Sequence, residues 1–201
     1  MTQEPPREQV ADPDSIAKLE AVEHQLAAAI RTLCAVEALA QAWRELRKTR
    51  PDLLQDGFMF STVYDALWDS LIATLGRIWD SDKRSASLPA LARALFVGED
   101  PETIAARQHI SDSLHVGRER LRVRRHKVVA HRDHPLPETF DTDYAIDNLM
   151  ARKDVAEVME RLNMLADKLG RPRMHCGLMF TESREDARKS LDRWKQGDPT
   201  P

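Results

Sequence analysis

The stretch LEAVEHQLAAAIRTLCAVEALAQAW, residues 19–43, repeats apolar side chains with a seven-residue period. One row contains Leu19, Leu26, Leu33 and Ala40, and the other contains Val22, Ala29, Val36 and Trp43. This pattern predicts a long helix that packs lengthwise against its neighbours. Asp12 can cap the start of this helix and Pro13 can occupy its first position, while Pro51 ends it.

The rest of the chain also has helical periodicity, and no segment shows the alternating pattern of a strand. Further helices are predicted over about 58–80, 88–96, 101–132, 141–169 and 183–197. Asp100 and Pro101 form a second start signal, Pro135 and Pro137 end that helix, and Gly170 closes the next one. The predicted fold is therefore all-α, an antiparallel helical bundle with a C-terminal helical extension.

The length of 201 residues suits a single domain with tails. Residues 1–12 are polar, contain two prolines and are predicted to be a disordered tail. Residues 13–170 contain the predicted helical domain. Residues 171–201 are predicted to be a linker followed by the C-terminal helix.

Composition is that of an ordinary soluble protein, with 42% hydrophobic residues and a formal net charge of −3. The N-terminus has no apolar core of a secretory signal, and no stretch approaches the ~20 apolar residues of a membrane span. Cys34 and Cys176 are far apart and do not form a disulfide framework. We therefore predict a reduced, cytoplasmic protein with no membrane association.

A local basic segment contrasts with the acidic chain. RRHKVVAHRDH, residues 124–134, contains three arginines, one lysine and three histidines. Residues 117–134 together carry seven basic and two acidic side chains, a formal charge of +5, so the remainder carries −8. This asymmetry indicates an anionic partner at one surface.

On a helical wheel the basic side chains flank the apolar row of Leu114, Leu121 and Val128 on both sides. Placing cations beside a row of packed apolar side chains costs desolvation free energy unless an anion or water is near. The pattern therefore favours a cleft along this apolar row. The alternative is a solvated helix end, because basic side chains complement the helix dipole and their stems cover apolar surface.

The order of residues in RHKVVAH, residues 125–131, resembles the signature of the HEPN superfamily. That signature is an arginine and a histidine with four to six residues between them, here ending at His131, and a polar residue, here His126, usually follows the arginine directly. The longer string RVRRHKVVAHRD, residues 122–133, near the end of a long helix, is most similar to the abortive-infection AbiU-type branch. The resemblance covers about residues 15–170. Arg124 also satisfies the spacing, so the motif arginine is Arg124 or Arg125.

The resemblance implies a helical bundle that forms a homodimer, with the two motifs facing each other. Many members are metal-independent ribonucleases of toxin–antitoxin and phage-defence systems, whereas others bind RNA, nucleotides or proteins without catalysis. It implies RNA as partner, with no cofactor and no metal, and a catalytic set of Arg125, His126 and His131. The predicted RNA-binding side chains are Arg118, Arg122, Arg124, Lys127 and Arg132.

Some HEPN toxins carry a tyrosine two residues after the motif histidine, which a partner enzyme modifies. Here that position is Asp133, so this route of silencing is excluded and any antitoxin protein must act differently. A non-catalytic HEPN module and a helical interaction protein remain the alternative functions. Asp141, Asp143 and Asp147 lack the glycine of a calcium loop, and no metal site is predicted.

Overall fold

The computed structural model describes residues 12–49, 57–112 and 140–195, and within these ranges every regular element is a helix. The six helices are α1, Pro13–Thr49; α2, Gly57–Ile78; α3, Leu88–Leu95; α4, Pro101–Ser111; α5, Phe140–Lys168; and α6, Cys176–Lys195. The predicted all-α class is confirmed.

The long helix α1 lies at the centre of the bundle and contacts α2, α3, α5 and α6. Both predicted rows are buried along its length, and only Trp43, at the end of the second row, is partly exposed. Ile30 and Cys34 add to this buried surface. The predicted lengthwise packing of α1 is therefore confirmed, because apolar burial on several sides is the main stabilising term of such a helix.

Polar contacts with α1 show the directions in which α5 and α6 run. Arg152 of α5 contacts Glu37 of α1, and Arg171, just beyond α5, contacts Glu20, so α5 runs antiparallel to α1. In α6 the order is reversed, since Phe180 lies at Cys34 and Arg184 lies at Glu37. The C-terminal helix thus packs on α1 in the same direction as α1.

By length and composition alone, α1 could cross a membrane, which differs from our expectation that no stretch approaches a span. The core helix of a soluble protein passes the same test, and the apolar rows of α1 are buried against other helices. The hydropathy of α1 is therefore accounted for by its central position in the bundle.

The predicted continuous helix over 101–132 is wrong at residue 112. Asp100 caps α4 as predicted, accepting a hydrogen bond from the Thr103 backbone N–H at 2.8 Å. However, α4 ends at Ser111, and Asp112 has φ −64° and ψ 103°, which is not helical. Serine and aspartate side chains compete for backbone hydrogen bonds, so two such residues in succession favour a helix end.

The C-terminal helix begins at Cys176, seven residues before the predicted start at Ser183. Met179 and Phe180 pack against the core in these added turns. Apolar packing therefore extends a helix whose local sequence contains the glycine Gly177, a poor helix former. The division into a domain ending at 170 and a separate extension stays a prediction, although α6 itself contacts α1.

Candidate functional site

The eight predicted site residues lie between Asp112 and Phe140, outside the residues that the structure describes. These are Arg118, Arg122, Arg124, Arg125, His126, Lys127, His131 and Arg132. The structure shows how the chain is held at the point where it enters this segment, and the roles of these eight side chains stay predictions.

The chain enters the segment at Asp112, where a buried arginine of α5 holds it. The Arg161 guanidinium donates a hydrogen bond to the Asp112 backbone carbonyl through Nη1. Ile110, two residues earlier, is fully buried in the core. The end of α4 is therefore fixed by apolar packing and by a charge-assisted hydrogen bond to α5.

Arg161 is only 5% exposed, and two further contacts accommodate its charge. Its Nη2 pairs with the Glu157 carboxylate one turn earlier on α5, and its guanidinium carbon lies 4.8 Å from the centre of the Trp79 ring. A buried cation is tolerated when it is paired and hydrogen-bonded in this way. Arg161 therefore joins α5, the end of α2 and the end of α4.

Asp154 lies two turns before Arg161 on α5 and is 4% exposed. Burial, followed by the like charge of Glu157, raises the pKa of the Asp154 carboxyl to about 6. Among the described residues no side chain donates a hydrogen bond to this carboxyl. A buried carboxyl with a raised pKa is the kind of group that functional sites use, although structural roles produce it as well.

Asp154 and Arg161 were not predicted from the sequence as site residues, because they are charged residues inside a helix with a clear apolar stripe. Asp154 precedes Val155, and Arg161 precedes Leu162, and both of these apolar neighbours are buried. Seven residues is nearly two helical turns, so Asp154 and Arg161 lie on one face beside the stripe. This spacing is the signal that could have identified them.

A second polar cluster joins α1, α5 and α6. The Glu37 carboxylate accepts from Arg152 Nε at 2.5 Å and lies 3.5 Å from Arg184 Nε. Beside it, the buried Cys34 thiol points its Sγ at the Phe180 carbonyl, 3.9 Å away. Burial and the nearby Glu37 charge raise the pKa of Cys34 to about 11, so this thiol is an unreactive core group.

The described residues contain no group of three histidine, cysteine, aspartate or glutamate side chains that could hold a metal ion. Asp141, Asp143 and Asp147 belong to the helical backbone of α5 and do not form a loop. His175 is exposed just before α6.

One family model matches the chain, over residues 13–193, and it is the model described as AbiU2, a HEPN family. The match covers most of the chain, including the basic segment and α6. Neither the curated proteins nor the solved structures that were compared with the chain contain a match.

Proposed function

The chain belongs to the AbiU2 family of HEPN domains, and from this we propose that it is a metal-independent endoribonuclease of phage defence or of a toxin–antitoxin system. The observation that carries the proposal is the family match over residues 13–193, which spans the arginine–histidine motif of residues 125–131. The alternative within the same family is a module that binds RNA, nucleotide or protein without cleaving.

The motif residues can supply each step of metal-free RNA cleavage. The ribose 2′-oxygen attacks the adjacent phosphorus while a base removes its proton, and the bond from phosphorus to the 5′-oxygen breaks as an acid protonates that oxygen. His131 serves as acid or base, since histidine titrates near neutrality. Arg125 stabilises the negative charge that builds on the phosphate, and His126 orients the two side chains.

The remaining basic side chains bind the RNA backbone in this proposal. They are Arg118, Arg122, Arg124, Lys127 and Arg132. Contacts of this kind carry no sequence information and release counterions, so binding weakens steeply as salt rises.

We place the site at a two-fold axis between two chains. On an ideal helix Arg125 and His131 are about 120° apart around the axis and about 9 Å apart along it. One chain alone does not set them side by side, whereas two copies of the motif can contribute to one cleft. Mixed dimers of Arg125→Ala and His131→Ala chains should then recover part of the activity that each variant lacks alone.

The primary experiment measures RNA cleavage in EDTA by the wild type and by His131→Ala, with the 3′ ends of the products analysed. The matched control is His109→Ala, which removes an exposed histidine of α4 outside the motif. We expect cleavage by the wild type and by His109→Ala, with 2′,3′-cyclic phosphate ends, and none by His131→Ala.

Two other outcomes would redirect the assignment. Equal cleavage by wild type and His131→Ala would place the activity outside this motif. RNA binding without cleavage by any variant would identify the chain as the non-catalytic HEPN module, and absence of both would leave a protein-interaction role.

A further inference from the structure

The parallel packing of α6 on α1 brings the C-terminal ends of these two helices to the same end of the bundle. The contact between Arg184 and Glu37 sets their register, and Ala187, nearly one turn further on, still packs against the core. The same register places residues 188–193 level with about residues 41–46 of α1. Axes of packed helices lie about 8–10 Å apart, so side chains of the two ends share one surface.

Both helix ends are strongly basic. Residues 41–49 and 187–195 together contain seven basic and two acidic residues, a formal charge of +5 in a chain whose total is −3. The flanking residues 50–56 and 196–201 contain one basic and three acidic residues, which leaves the sum at +3. Cations complement the negative C-terminal end of a helix dipole, but each such end is equivalent to only about half a charge. The two dipoles therefore do not account for the excess of cations.

Four cations of these ends are exposed and make no ion pair among the described residues. They are Arg47 and Lys48 of α1 and Lys189 and Arg193 of α6, and we call them the basic end surface. Arg188 is not included because its Nε lies 3.9 Å from Asp192 Oδ2, and Arg44 has other interactions. Gathering like charges without acids costs electrostatic free energy, so the arrangement favours an anionic partner.

The neighbouring side chains distinguish between classes of anionic partner. The large apolar side chains exposed in the described parts of the chain are Val63, Val97, Ile104, Leu149 and Leu178. None of these belongs to the two helix ends, where Leu46 and Leu191 are partly buried. Protein interfaces and membrane-bound helices use exposed apolar or aromatic side chains beside their charges, whereas cations alone bind a nucleic-acid backbone. The surface therefore fits a nucleic-acid backbone best.

We infer that the basic end surface binds the phosphate backbone of single-stranded RNA. The choice of RNA as the polyanion rests on the proposed function, whereas the cationic surface itself does not. Contacts to the backbone position a nucleic acid without reading its bases. The surface therefore supplies affinity and not sequence selectivity.

RNA binding by a variant that lacks these charges tests the inference. The test variant combines Arg47→Gln, Lys48→Gln, Lys189→Gln and Arg193→Gln. The matched control combines Arg31→Gln, Arg77→Gln, Lys83→Gln and Lys153→Gln, which removes as many exposed cations that make no ion pair among the described residues. The probe is a fluorescent single-stranded RNA with 2′-O-methyl groups, which has no 2′-hydroxyl group to attack and is not cleaved. Fluorescence anisotropy gives Kd over a range of salt concentrations.

The test variant should bind this RNA about tenfold or more weakly at low salt. The dependence of log Kd on log salt should become shallower by up to about three, because each phosphate contact contributes about 0.7. The control variant should bind within about twofold of the wild type. Equal losses in both variants would reduce the effect to net charge and overturn the inference, and so would wild-type affinity in the test variant. Loss of binding to vesicles of anionic lipid, with RNA binding unchanged, would assign the surface to a membrane and also overturn it.

Acylation of lysines in the wild type gives a second readout that does not depend on how the variants fold. With the same RNA bound at saturation, Lys48 and Lys189 should react about fivefold or more slowly than in the free protein. Lys83 and Lys153, on other parts of the surface, should keep their rates. Mass spectrometry of the peptides measures all four, and unchanged rates at Lys48 and Lys189 would overturn the inference.

Cleavage kinetics separate the failure of this inference from the failure of the proposed function. With cleavable RNA, the test variant should raise KM by more than it lowers kcat per folded molecule, because backbone contacts are the same in the ground state and the transition state. A wild type that binds RNA through this surface but cleaves none would refute the proposed function and support the inference. A wild type that cleaves RNA with a KM unaffected by the four substitutions would refute the inference alone, and one that binds no RNA would refute both.

Discussion

The guanidinium of Arg161 donates to the backbone carbonyl of Asp112, joining α5 to the end of α4 across 49 residues of sequence. This contact fixes the point at which the chain enters residues 113–139, which include the basic side chains. The chain therefore enters that segment from an exposed residue that is tied to the buried Arg161, and mutations at Arg161 should act on stability before they act on RNA.

Replacing Arg161 with methionine should destabilise the fold by about 2–4 kcal/mol, because the Asp112 carbonyl and the Glu157 carboxylate both lose their partner. Urea unfolding followed by circular dichroism measures this loss. The control is Arg188→Met, since Arg188 is exposed and its Nε lies 3.9 Å from Asp192 Oδ2 on the surface of α6. That change should cost under about 0.5 kcal/mol, and equal losses for the two variants would contradict the role given to Arg161.

Two glycine-to-alanine substitutions should change the stability of the fold in opposite directions. Gly170 closes α5 with φ +64°, where an added Cβ is unfavourable although no atom lies within 4 Å of it. Gly170→Ala should therefore destabilise the fold by about 1 kcal/mol. Gly76 is inside α2 and an added Cβ there also meets no atom within 4 Å, so Gly76→Ala should stabilise by about 0.5–1 kcal/mol. Thermal unfolding of both variants checks the signs, and the same sign for both would refute this account.

Glu37→Gln should loosen α6, because the charge that pairs with Arg152 and faces Arg184 is removed. We expect hydrogen exchange of α6 amides to rise by about twofold to fivefold, since both arginines are nearly half exposed, with α3 amides unchanged as the internal reference. Glu20→Gln, which removes an exposed partner of Arg171, is the matched control. Uniform acceleration in all helices after Glu37→Gln would show a global loss of stability and not a local release of α6.

Cys34 should be inert in the folded protein. With its pKa at about 11, the thiolate fraction at pH 8 is on the order of 0.1%. Alkylation of the Cys34 peptide, followed by mass spectrometry, should be about a hundredfold or more slower in buffer than in urea. Comparable rates would mean that the thiol is accessible and is not covered by α6 in the folded protein. Cys176→Ser removes the second thiol and leaves a single reporter.

The sequence predicted what depends on local periodicity and capping. The seven-residue rows of α1 are buried as expected, and Asp100 and Gly170 mark helix ends as expected. The end of α4 at Ser111 was missed because the apolar period of 110, 114 and 121 runs across two poor helix formers. The early start of α6 was missed because it depends on tertiary packing of Met179 and Phe180 on the core.

Only part of the candidate site could be predicted from the sequence. The motif of residues 125–131 was recognisable from residue order, and the family match supports that recognition. Asp154 and Arg161 were not found because their burial depends on neighbours distant in sequence, such as Trp79 and Asp112. From sequence alone, charged side chains beside an apolar stripe are predicted to be exposed to solvent, and only a structure shows that they are buried.

The packing of α6 on α1 has a consequence for synthesis. Cys34 and Phe180 are in contact although they are 146 residues apart in sequence, so α1 is covered by a helix that is made long after it. During translation one side of α1 stays open until α6 emerges, and a chain truncated before Cys176 lacks that cover permanently. Such fragments expose apolar surface that quality control and aggregation act on, so the core around α1 is completed only after α6 has been made.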